Sequence, residues 1–217
     1  MIIKCDNPEN FYINPDGKEI LNHFIDGIGG KGVHLLELYK ASKKLKTFNV
    51  PDFFIIPTSY PMSYGTKNPG EEFRVFFKEN DIEEAFNALK KPIIARSSSP
   101  FEDSVNATFA GMFESIPNIE KFYDLGVACC KIDISAHEDK VRDYAKEMGV
   151  KNYQALMAFI IQNQVVNPEI KGTIQFDDAY SENQNITIEY LDKNGKKDIY
   201  EFERYILENC GPWPFKQ

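Results

Sequence analysis

Ala95-Arg96-Ser97-Ser98-Ser99-Pro100-Phe101-Glu102-Asp103-Ser104-Val105-Asn106-Ala107-Thr108-Phe109-Ala110-Gly111-Met112 is the stretch from which the rest of the chain can be read. A short apolar run, Pro92 to Ala95, ends in one arginine; three serines follow at once, and a small-residue loop closes with Phe-Ala-Gly. A guanidinium is a planar, permanently charged fork matched to phosphate oxygens. Hydroxyls and unhindered backbone N–H groups beside it can hold an anion from several sides. A loop of this composition gains little by packing, so ligand holding explains it more economically, with Arg96 and Ser97 as anion contacts. The competing role for Arg96, a surface ion pair with one of many carboxylates, is worth little. For Glu102 and Asp103, capping a turn or helix start outweighs binding.

Upstream lies Gly27-Ile28-Gly29-Gly30-Lys31-Gly32, followed by a segment with the apolar face of a helix, residues 31 to 46, and lysines loading its C-terminal end. Lys31 at the start of that helix adds a full charge where the dipole and free N–H groups already favour an anion. The glycines satisfy G-x-G-x-x-G, with Asp52 at the distance of a ribose contact, but Glu19 to Asp26 does not read as the buried strand a dinucleotide fold needs. A Rossmann dehydrogenase therefore ranks low. A Walker A loop is excluded, because Ile25 stands where its first glycine belongs and Gly32 where Ser or Thr belongs.

Downstream, Ala155 to Val166 is a nearly unbroken apolar run that suits a buried strand. Its polar interruption, Gln162-Asn163-Gln164, can present backbone amides to a purine edge between Ile161 and Val165, although core packing explains the hydrophobes equally well. Other expected elements are a proline-bracketed strand over 49–57, a short helix or turn over 59–67, a helix over 81–90, strands at 92–96 and 113–116, and helices over 119–130 and 135–149. Strands over 172–176, 185–191 and 197–202 follow, the last two joined by Asp192-Lys193-Asn194-Gly195, a strong hairpin turn. The fold class expected is α+β: a first lobe over 1–155, then the start of a β-rich second lobe over 156–217.

The chain has 217 residues, 42% hydrophobic and 27% charged, with a net charge of −8. This is a globular composition, and its sign disfavours nucleic acid and anionic membranes as partners. The four cysteines, Cys5, Cys129, Cys130 and Cys210, form no CxxC pair. They read as small buried hydrophobes in a reducing compartment. With no secretory leader in the first residues and no span-length apolar run, a cytoplasmic protein is expected. His23, His34 and His137 fall in no nucleophile–base pattern.

In order and spacing, Gly29 to Leu38, Val50 to Ile55, Ala95 to Ser99 and Phe109 to Met112 resemble the N-terminal nucleotide-binding region of the phosphoenolpyruvate synthase / pyruvate phosphate dikinase family, an ATP-grasp fold. Ser135 to Gly149 and Met157 to Gln162 add softer matches. The resemblance implies that Lys31 and Arg96 contact ATP phosphates, that the loop around Thr108 and Gly111 closes over them, and that Ile161, Gln162, Gln164 and Val165 hold adenine between the lobes. It further implies Mg²⁺ bridging the phosphates, and transfer of the β-phosphoryl group to a histidine on a separate domain or chain. The sequence stops at Gln217, short of the family's later acidic and glutamine metal ligands and of its phosphohistidine segment. The expectation is thus the ATP-binding portion of a phosphotransferase, unable to complete transfer alone. The alternative is a scaffold or partner-binding module that has lost nucleotide binding.

Overall fold

The computed structural model describes residues 3–5, 18–58, 82–101, 103–104, 107–109, 111–150, 153, 155–176 and 185–203. The expected turn over 59–67, Glu102 and Cys210 lie outside them. The architecture is α+β with antiparallel sheets.

The first sheet is built from β1 (Ile3–Lys4), β2 (Phe53–Ile56), β3 (Ile93–Ser98), β6 (Ser115–Ile119) and β7 (Ala158–Asn163), in the order β1-β2-β7-β3-β6. Every neighbouring pair is antiparallel. β7 sits in the middle because its first four residues, Ala158 to Ile161, are all apolar, and a run that alternates nothing can be covered on both faces. Helix α1 (Lys18–Leu45) covers one face: Ile28, Val33, Leu36 and Tyr39 pack on Phe53, Ile55, Ala158 and Ile160. Helices α2 (Ile82–Ala88), α3 (Phe122–Ala136) and α4 (Asp139–Glu147) cover the other, around Phe54, Ile56, Ile93, Ala95, Phe159 and Ile161. Burying each such Ile or Phe contributes roughly 1.5–3 kcal/mol.

Between β3 and β6, β4 (Asp103–Ser104) and β5 (Ala107–Thr108) form a small antiparallel ribbon. Strand β6 runs through Pro117, where the sequence reading ended it, because β6 is an edge strand and a missing N–H is tolerated there. A register shift opposite it, between Ile93 and Ala95, and a positive φ of 61° at Asn118 absorb the irregularity.

The chain divides into two compact units, Met1–Gln164 and Val165–Gln217. The division falls after β7, not before it as expected, since β7 pairs with β2 and β3 on either side. The second unit holds β8 (Ile170–Phe176), β9 (Asn185–Asp192) and β10 (Lys197–Glu203) as a three-stranded meander. Its β9–β10 hairpin forms as expected: the Asp192 carboxylate accepts the Asn194 and Lys196 N–H groups at 2.8 Å each, and Gly195 takes φ 80°. Among the described residues no helix is long and apolar enough to cross a membrane.

Candidate anion site on the α1 face of the sheet

Helix α1 is two helices joined across Gly29, whose φ of 71° and ψ of 164° are not helical. Such a break strands carbonyls on one side and N–H groups on the other. Neighbouring strands satisfy both. The Gly27 carbonyl accepts the Thr58 N–H at 2.8 Å, just beyond β2. Ser98, at the end of β3, donates its hydroxyl to the Ile28 carbonyl at 2.6 Å and accepts the Gly32 N–H at 2.9 Å. A Cβ on Gly29 would lie 2.5 Å from the carbonyl carbon, the carbonyl oxygen and the Oγ of Ser98, so no other residue fits.

Lys31 lies in the first turn after this break, half-buried. Arg96, also half-buried, precedes Ser98 by two residues, a rise of about 6.6 Å along a strand, and shares its side of the sheet. Its cross-strand neighbours confirm the side: Ile160 belongs to the core beneath α1, and Ser115 stands opposite on β6. Lys31 and Arg96, remote in sequence, are each anchored within two residues of a single joint.

The other expected contacts distribute differently. Ser97 faces the opposite side, fully buried, and its hydroxyl has no hydrogen-bond partner. Thr108 is in β5, paired with Asp103 across the ribbon. Gly111 is exposed at φ 75°. Just before it, Phe109 is fully buried, stacked on Phe113 and Tyr153 with Tyr144 edge-on, so the closing Phe-Ala-Gly is fastened to the core at its phenylalanine.

Ile161 is fully buried on the face away from Arg96, among the α2–α4 core. Gln162 is on the Arg96 side, its amide donating to the Pro51 carbonyl at 3.1 Å. Gln164 is held through its side chain by Asn118 and through its N–H by the Pro92 carbonyl. Val165 is exposed and begins the second unit. Residues 159–162 of β7 pair with β2 on one side and β3 on the other.

A helix precedes the glycines and the sheet is antiparallel throughout, so the dinucleotide-fold reading, already ranked low, falls away. The residue missed was Ser98. The period-two alternation of β3, which puts Ser98 and not Ser97 on the side of Arg96, was the available signal. A buried carboxylate, Asp133 on α3, is pushed up to about 6 by its burial, with His137 Nε2 4.0 Å away; it belongs to the opposite layer. Among the described residues no group of three His, Cys, Asp or Glu side chains is arranged to hold a metal ion.

Residues 74–192, over half of the chain, match the pyruvate phosphate dikinase AMP/ATP-binding domain family. The uncharacterized phosphotransferase YvkC of Bacillus subtilis (strain 168) is 27% identical over 161 residues, which cover 67% of this chain and 19% of the relative. The chain thus spans about a fifth of that relative's length. Arg96, the ribbon and β7 fall inside the family match; Lys31 precedes it.

Proposed function

Because the chain belongs to the pyruvate phosphate dikinase AMP/ATP-binding domain family, we propose that it binds ATP with its phosphates against Arg96 and Lys31 on the α1 face of the first sheet, in an ATP-grasp-like domain. The observation that supports this reading is the Ser98 joint, which ties the helix start bearing Lys31 to the strand bearing Arg96. Arg96 supplies a fixed planar fork, and Lys31 a point charge added to the N–H groups and dipole of a helix start. Phosphoryl transfer asks little covalent work of a protein, so what these residues contribute is orientation and neutralisation of charge. Mg²⁺ is proposed to arrive with the nucleotide's own phosphates. The ribbon and the segment to Gly111 serve as the cover, held by Phe109. The phosphoryl acceptor, a histidine-bearing domain, is proposed to be carried outside these residues.

Calorimetric titration with Mg·ATP tests this. Losing one charge-assisted contact should weaken affinity by roughly 10- to 100-fold in Arg96→Ala and in Lys31→Ala, with unfolding midpoints unchanged. Equal affinities in all three proteins end the phosphate assignment. A wild-type chain that binds no nucleotide leaves the scaffold role in its place.

A further inference from the structure

We propose that Ser98 is a positioning residue of this site: its hydroxyl locks the helix start that carries Lys31 against the strand that carries Arg96, and so sets the gap into which the phosphates fit. The inference rests on the ATP reading above and adds to it a residue that touches no ligand. The geometry is specific. One hydroxyl closes both sides of the break in α1, accepting from Gly32 and donating to Ile28. The group is fully buried, so water does not substitute for it. Gly29 lies so close to Ser98 that a single added carbon would overlap its backbone, which leaves the joint no slack. Lys31 is covalently next to the bonded Gly32 N–H, and Arg96 is two residues from Ser98 itself. When the hydroxyl is removed, the first turn after Gly29 loses its external acceptor and the Ile28 carbonyl its donor. The Lys31 backbone is then free to shift relative to β3, while the sheet and the α1 core packing, made by Val33, Leu36 and Tyr39 further along, stay in place.

The expected consequence is a selective loss of phosphate recognition. Affinities for Mg·ATP and for adenosine are measured on the whole chain as wild type, Ser98→Ala and Arg96→Ala, with urea unfolding as the folding control and amide hydrogen exchange read at Gly32. In Ser98→Ala, ATP binding should weaken about tenfold, adenosine binding should hold, and the Gly32 amide should exchange at least tenfold faster. Parallel loss of ATP and adenosine would mean general damage and overturn the proposal, as would unchanged ATP affinity in Ser98→Ala beside a weakened Arg96→Ala. If Arg96→Ala itself binds ATP like wild type, the phosphate reading fails first and takes this one with it. Should Ser98→Ala not fold, Ser98→Cys, close in size but a much weaker hydrogen-bonding group, replaces it: faster Gly32 exchange with unchanged ATP affinity would sink the proposal.

Discussion

Three adjacent serines do three different things. Ser97 is buried in the core with its hydroxyl unpaired, Ser98 joins β3 to α1, and the Ser99 hydroxyl accepts the Phe101 N–H at 3.2 Å to start the loop. Composition made them equivalent; strand alternation and the end of the strand separate them. Gly29 is the other residue whose identity the joint dictates. Gly29→Ala meets two penalties, a left-handed φ and a Cβ 2.5 Å from backbone atoms of Ser98. It should therefore lower unfolding stability by at least about 2 kcal/mol, well above the cost of a surface Gly→Ala change. Urea denaturation measures it; a change under about 0.5 kcal/mol would mean that the break is not held in the described geometry.

Helix α3 carries a charge that its surroundings do not pay for. Asp133 is buried, its Oδ2 lacks a hydrogen bond, and His137, one turn on, is itself held below its usual value by burial and by Arg142. An acid whose folded value is raised, from 3.8 to about 6, binds its proton more readily in the native state. Its contribution is fully favourable below about 4 and is lost as pH rises through about 6. Asp133→Asn should thus remove a fall in stability between these pH values, so that the variant gains on the wild type in going from pH 4.5 to pH 7.5. Guanidinium unfolding at pH 4.5 and 7.5 checks the sign; a wild type that gains stability relative to the variant on going to the higher pH refutes it. At the same scale, the helix over Lys18–Ile28 was invisible in the sequence because its glycine-rich end breaks the apolar period. By contrast, the amphipathic stretch after Gly29 was plain.

At the scale of the molecule, both cations belong to the unit ending at Gln164, which has its own doubly covered sheet. A chain cut to residues 1–164 is expected to fold and to bind inorganic tripolyphosphate in a manner that Arg96→Ala weakens. Circular dichroism and titration decide it; a cut chain that folds yet ignores tripolyphosphate moves the anion site elsewhere. Much of this organisation was legible. Strands near 53–56, 93–98 and 158–163 and the β9–β10 hairpin were expected from proline brackets, apolar runs and turn chemistry. The membership of β7 was not, because an unbroken apolar run such as Ala158 to Ile161 says that the strand is covered twice without saying by which neighbours.

By itself, the sequence determined the chemistry on offer: one arginine closing a strand, one lysine after a glycine break, small residues between, and a hairpin that Asp192 and Gly195 make locally. These follow from short-range rules of charge, backbone freedom and turn geometry. Only the tertiary structure decided which serine meets which glycine, which side of the sheet Arg96 faces relative to α1, and where the first unit ends. Those are long-range pairings, set by packing two helical layers on one sheet, and no local pattern encodes them.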